Sequence, residues 1–264
     1  MSELKDSEGR MRGAIAQGLR RRLLGGLNVI ARRRADLGRP VVARGRGKPP
    51  PSKFATSDDL VQDHFSSIGD PGHLNMDSLR DTLGLLEEHP GVIVETGSSA
   101  WGLDSSRLFD AYVSSFGGEF WSVDLRVQPL LELRRKLTPN STLVCDDSVR
   151  FLERWVNENP GRKADLVYLD SWDLDVEDPV PAAIHGLREF FAIAPALRSG
   201  SLLLVDDTPG SSKWVPARWQ PTASDYLAKF DLIPGKGMLL DRYLEGRPDV
   251  VKVHHRYQAL YRFQ

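Results

Sequence analysis

Five short apolar runs, each leading into a carboxylate, constrain this chain more than any other feature. They fall at residues 92–95, 120–123, 141–145, 166–169 and 201–205. Apolar residues at helical spacing fill the intervals around 104–116, 128–137, 148–158 and 180–197. Strand and helix signals that alternate, with strands apolar throughout, predict a parallel sheet covered on both faces. Helical patterns at 57–68 and 75–88 precede the first run, and two more, at 222–231 and 237–244, follow the fifth. The tail, 250–263, alternates in strand fashion around a turn and predicts a terminal antiparallel hairpin. The expected fold is α/β: a doubly wound, mostly parallel sheet of seven strands with a C-terminal hairpin and an N-terminal helical extension.

In an open parallel sheet the ligand lies beyond the C-terminal ends of the strands. Here those ends carry Glu95, Asp124, Asp146 and Asp147, Asp170, and Asp206 and Asp207. One terminal acid is an ordinary cap or turn residue; acids at all five ends of one edge point to a site. The first strand is followed by a loop containing Gly97 and Gly102, where the chain turns sharply and a ligand can approach bare backbone. Asp104 or Ser105 then caps a helix whose free N–H groups suit an anionic ligand. The loop lacks a third close glycine, and Ser98, Ser99 and Trp101 would crowd a pyrophosphate, which argues against a nicotinamide dinucleotide. Asp124 lies 22 residues after Gly102, where a carboxylate accepts the two ribose hydroxyls of a nucleoside. Asp147 and Ser148 are placed for an adenine ring. Glu95 is expected to order the loop and face a cationic ligand group. An acid-rich pocket for a positively charged nucleoside points to S-adenosylmethionine.

Through Glu95-Thr96-Gly97 with Gly102, Ser122-Val123-Asp124 and Asp146-Asp147-Ser148, residues 75–264 resemble the class I S-adenosylmethionine-dependent methyltransferases. The resemblance is nearest to the metal-dependent catechol and macrocin O-methyltransferase types, on the matches Asp170 in Leu169-Asp170-Ser171-Trp172 and the pair Asp206-Asp207. It implies a Rossmann-like fold, methyl transfer to a hydroxyl, and Mg2+ held by Asp170, Asp206 and Asp207. Carboxylates from neighbouring strand ends form an all-oxygen site suited to that ion. It also implies a sugar, glycan or secondary metabolite as acceptor. The chain departs from the catechol type where that type has a lysine base, three residues after the metal aspartate; Asp173 stands there. His73, His185 and Lys236 are the candidate bases, with Asp170 also at the reacting centre. His185, within a predicted helix, reads more simply as a structural or surface histidine, and Lys236, in Pro234-Gly-Lys-Gly-Met238, as part of a flexible stretch able to close over substrate or equally as an exposed turn lysine. Trp172 and Trp214 fall in loops beside these residues and serve equally for ring stacking or core packing. Cys145, ending a buried strand, reads as packing.

Charge divides the chain. Residues 1–53 hold 14 Lys and Arg against 4 Asp and Glu, a net of +10; the remainder carries −11. Residues 1–37 read as a basic amphipathic helical arm, with Ile15, Leu19, Leu23, Leu27 and Ile30 on one stripe. Residues 38–56, rich in Pro, Gly and Arg, read as a linker, and 57–264 as the catalytic domain. The arm suits an anionic membrane surface or a polyanion, and equally its own acidic domain or a second subunit. The single cysteine fits a reducing compartment, no apolar run spans a bilayer, and a cytoplasmic location, peripheral at a membrane surface, is expected. Two rival readings stand: a metal-independent methyltransferase acting on nucleic acid or another small molecule, and a non-catalytic scaffold using the basic arm. The sequence lacks the Asn-Pro-Pro-Tyr type of tetrapeptide that amino-methylating enzymes carry, which weighs against nucleic acid.

Overall fold

Each of the five apolar runs forms a strand in the structure, a computed structural model that describes residues 27–31, 34–35, 39–48, 54–86, 91–98 and 103–264. The strands are β2 (Val92–Thr96), β3 (Glu119–Asp124), β4 (Ser141–Cys145), β5 (Leu166–Leu169) and β6 (Leu202–Val205). With β1 (Val41–Arg44), β7 (Val250–His255) and β8 (Ala259–Phe263) they make one sheet in the order β1-β4-β3-β2-β5-β6-β8-β7. The five central strands run parallel, and β8 returns antiparallel beside β6, Val205 facing Ala259.

Alternate residues of each strand serve opposite faces, so an apolar strand feeds two cores. Ile93, Leu166, Tyr168, Leu202, Leu204 and Leu260 join one core, while Val92, Val94, Val167, Leu169, Leu203, Val205 and Tyr261 join the other. The first core is closed by α1 (Ser57–Ser67), α2 (Met76–Leu86), α3 (Ser105–Phe116) and α4 (Val127–Leu133). The second is closed by α5 (Ser148–Glu158), α6 (Val180–Ile193) and α8 (Met238–Leu244). Between these last two lies α7 (Gln220–Phe230), which buries only Ala223 and packs in a small separate cluster with Val176 and Val215. Helix starts follow local chemistry: Thr56 caps α1 and Asp147 caps α5, each accepting the N–H three residues on.

The doubly wound sheet and the terminal hairpin are as expected, with one strand more than seven. Val41–Arg44, inside the stretch expected as a linker, forms β1 and pairs antiparallel with β4, Val41 facing Cys145 and Arg44 facing Thr142. The pairing extends past the strand, Gly47 N–H donating to Leu137 O at 2.6 Å. A Cβ on Gly47 would lie 2.2 Å from Lys136 O, so only glycine lets the two backbones meet. Of the basic arm, residues 1–26 lie outside the described residues; residues 27–31 are helical. Asn28 accepts the Val127 N–H at 2.7 Å, and Ala31 is buried in the first core. No helix among the described residues is long and apolar enough to cross a membrane.

Candidate active site

Two cavities open side by side at the C-terminal ends of the strands. One, of about 320 Å3, is lined by Gly97, Asp124, Arg126, Asp147, Ser148, Asp170, Trp172, Asp173 and His185. Gly97 has φ +83° and packs so closely that a Cβ would lie 2.3 Å from Asp170 O. Asp124 is buried, and its carboxylate takes both Arg126 Nε (2.9 Å) and Nη2 (2.8 Å). The acid expected to receive ribose hydroxyls thus already holds a guanidinium. A ribose would share or displace it, and Arg126, whose side chain is 56% exposed, is free to swing away. At the end of this cavity expected to take adenine, Ser148 Oγ and His185 Nε2 are 2.9 Å apart. His185 lies 3.4 Å from Glu189, which accepts Ser171 Oγ–H at 2.5 Å. The Trp172 ring packs on His185 at 5.1 Å between centroids. His185 therefore belongs to the cavity and is not a surface residue.

Glu95 corrects the expectation in part. It ties β2 to the first turn of α3 and to β3, accepting hydroxyl protons from Ser105 (2.6 Å), Ser106 (2.6 Å) and Ser122 (2.5 Å). It is fully buried, however, and lines neither cavity. Burial raises its pKa to about 7 against the pull of those three hydroxyls. Ser98 is likewise internal, 2.6 Å from Ser122 Oγ, so it supports Glu95 and does not line the pocket. Gly102 lies outside the described residues. Asp104 offers no side-chain cap to α3, and Asp146 is taken by Arg150 and Arg154.

The second cavity, of about 500 Å3, is lined by His73, Asn75, Leu103, Leu174, Arg218, Trp219, Tyr257 and Lys236 together with Asp170, Asp206 and Asp207. Carboxylate oxygens of the three aspartates lie within 4.8 Å of one another. Asp206 accepts Asn75 Nδ2 at 2.9 Å and Gln258 Nε2 at 2.6 Å, and Asp207 accepts the Tyr257 hydroxyl. Lys236 Nζ sits 2.7 Å from Asp170 and 3.0 Å from Asp207. Burial and the neighbouring Asp206 push the Asp170 carboxyl well above its usual range, with Lys236 opposing. Burial works to lower the Lys236 pKa, but the three carboxylates outweigh it and hold the ammonium protonated far above neutrality. The acids, Asp170 and Asp206 buried and Asp207 partly so, outnumber the one lysine, and all-oxygen donors at this spacing fit a hard divalent cation.

Lys236 is not in a mobile flap. It is 5% exposed, its N–H donates to Asp207 O at 2.9 Å, and Cβ atoms on Gly235 and Gly237 would strike Asp207 O and Thr208. The glycines flanking it exist to let this segment lie on the Asp206–Thr208 turn. A protonated amine held by two carboxylates is not a base. His73 lines the cavity, but its Nδ1 accepts the Asn75 N–H at 3.1 Å, which leaves the neutral ring's proton on Nε2. It is set to donate, not to abstract. Asp170, on both cavities, is the remaining candidate from the sequence. Trp214 lines neither cavity, and Trp219 takes that place.

Tyr257 and Gln258 had no signature of their own. Their place follows from topology: β8 runs antiparallel beside β6, so the turn that starts it falls at the C-terminal end of β6, next to Asp206. Asp207 (φ 42°) and Trp172 (φ 65°) hold left-handed backbone without being glycine where strand ends meet the cavities, as Asp104 and Asp231 do at helix ends.

No family model matches the sequence, and no curated relative does. Among solved structures the chain is similar to MycE, a methyltransferase from the mycinamycin biosynthetic pathway in complex with Mg and SAH. The TM-score is 0.48 at 18% identity, over 77% of this chain and 54% of that one. It is also similar to CalS11, a TDP-rhamnose 3'-O-methyltransferase in calicheamicin biosynthesis (TM-score 0.40, 20% identity, 77% and 93% covered). A third is the O-methyltransferase from Bacillus cereus in complex with SAH (TM-score 0.39, 11% identity, 81% and 93%). This chain spans about half the length of MycE.

Proposed function

We propose that the protein transfers a methyl group from S-adenosylmethionine to a hydroxyl of a sugar-like or other polyol small molecule or glycan. The observation that carries the reading is a shared wall: Asp170 and Asp173 line both cavities. A nucleoside held over Gly97, with its adenine toward Ser148 and His185, would present its sulfonium across Asp170 to an acceptor beside the carboxylate cluster. In that geometry the acceptor oxygen forms the new C–O bond while sulfur keeps the C–S electron pair and leaves as a thioether. The hydroxyl proton passes to a carboxylate, for which Asp170, on the wall between the two cavities, is the candidate. Holding both reactants in line supplies the larger part of the acceleration, about 7–11 kcal/mol where alignment is good.

Asp170, Asp206 and Asp207 would hold a divalent cation such as Mg2+, which when bound lowers the pKa of the acceptor hydroxyl. Asn75 and Gln258 hold the Asp206 carboxylate and Tyr257 that of Asp207. Trp219 and Tyr257 give the second cavity aromatic faces and His73 a donor, a mixture suited to a ring bearing hydroxyls. Incubating the protein with labelled S-adenosylmethionine and fractionated small molecules and glycans, then identifying the labelled product, tests the reading. Label confined to RNA or protein would overturn the acceptor class, and absence of cofactor binding in calorimetry would overturn the activity.

One observation favours a second reading of the cation. Lys236 already lies on two of the three carboxylates, so the ammonium can itself supply the positive charge, and transfer would then need no metal. Turnover surviving excess chelator decides for Lys236; turnover abolished by chelator and restored by Mg2+ decides for the ion.

A further inference from the structure

The β1 edge of the sheet carries a surface unrelated to either cavity. Residues 39–48 contain Arg39, Arg44, Arg46 and Lys48 and no acid. Because side chains alternate along an extended strand, Val42, Arg44, Arg46 and Lys48 all fall on the exposed side, while Ala43 and Gly45 are buried. Beside them a cavity of about 640 Å3 is lined by Arg46, Arg134, Arg135 and Lys136, with Glu132 its only acid. Those four cations make no ion pair among the described residues, and Arg134 Nε is buried without a hydrogen-bond partner. Large apolar side chains stand out from the same edge. Leu27, Val29 and Ile30 are 42%, 54% and 57% exposed on the helical segment that Asn28 and Ala31 fasten to α4.

We infer that this edge docks on an anionic lipid bilayer, with lipid phosphates received by Arg46, Arg134, Arg135 and Lys136 and with Leu27 and Ile30 entering the interface. Charge complementarity selects a polyanion, and the apolar groups select which. A single-stranded nucleic acid is held by aromatic platforms for its bases as well as by cations, and this edge has none among its described residues. Exposed aliphatic groups interleaved with arginine and lysine match an interfacial surface. The acidic remainder of the chain, net −11 beyond residue 53, would be turned away from the lipid, giving the molecule one orientation.

The test uses the full chain and vesicles of phosphatidylcholine with and without phosphatidylserine. Cosedimentation is expected only with phosphatidylserine, weakening as salt rises. Arg46→Glu, Arg135→Glu and Lys136→Glu together should lower the vesicle affinity by roughly tenfold or more. Leu27→Ser with Ile30→Ser should weaken it as well, and neither set should shift the melting temperature. No binding to phosphatidylserine vesicles, or binding undiminished by the triple charge reversal, overturns the inference. So does tighter binding to single-stranded RNA that ignores the Leu27 and Ile30 changes.

Discussion

At the scale of single residues, the site is governed by buried carboxylates whose protonation folding must settle. Glu95 is the cleanest case. Its folded pKa of about 7 stands above the ordinary 4.5, so between those values the unfolded chain releases a proton that the folded chain keeps. Stability contributed by the protonated form is complete at low pH and is lost as pH rises through that window. Glu95→Gln, neutral throughout, should therefore gain on the wild type by roughly 3 kcal/mol between pH 5 and pH 8. Melting temperatures of both proteins across that range measure it, and a constant difference would contradict the assignment. Lys236 presents the opposite balance. Replacing it with Met removes the ammonium from Asp170 and Asp207 and leaves buried acids unneutralised, a loss of about 3–5 kcal/mol at pH 8. The carboxylates then bind protons more readily when folded, so the deficit should shrink toward pH 5.5, as read by urea denaturation. A deficit independent of pH would mean that Lys236 is held by packing alone. The acids themselves were legible in the sequence because each ends an apolar run. Lys236's role was not, since a lysine between two glycines carries no sign of what it folds against.

At the scale of elements, the βα units read directly from periodicity because each parallel strand is apolar on both faces and each helix on one. Two elements did not. β1 is four residues among glycines, arginines and prolines, and an edge strand needs only one buried side, here Ala43. The loop before α8 looked mobile because glycine permits motion, yet these glycines serve close packing on the Asp206–Thr208 turn. The loop after β2 shows the same use. Gly97 lies against the Asp170 backbone, so Gly97→Ala meets both the left-handed strain of φ +83° and a carbonyl 2.3 Å from the new Cβ. The expected cost is about 2 kcal/mol or more, and relief of the clash would push β2 and β5 apart at the first cavity. Cofactor affinity measured by calorimetry should fall more than stability measured by thermal melting. Equal affinity in the variant would place the cofactor elsewhere.

At the scale of the whole molecule, the two cores lie away from the C-terminal edge of the sheet, where burial is spent on acids rather than on apolar side chains. That edge is the part of the protein with most to gain from a ligand. A ligand that binds only the folded state stabilises it by about 2.7 kcal/mol at a hundred times its dissociation constant. For a chain of this size that is a rise of about 5–10 °C in melting temperature. S-adenosylmethionine is expected to produce it, and a dinucleotide of nicotinamide is not, because Asp124, Asp147, Asp170 and Asp173 line the first cavity and outnumber its one guanidinium, Arg126. Mg2+ added with the cofactor separates the two readings of the cation. If Asp170, Asp206 and Asp207 take the ion, Lys236 must leave two of them, and the further rise in melting temperature should be larger in Lys236→Met than in the wild type. If Lys236 is the resident cation, Mg2+ should leave the wild type unchanged while still stabilising the variant. A nicotinamide dinucleotide that stabilised the protein as well as S-adenosylmethionine would overturn the identification of the cofactor from which both readings begin.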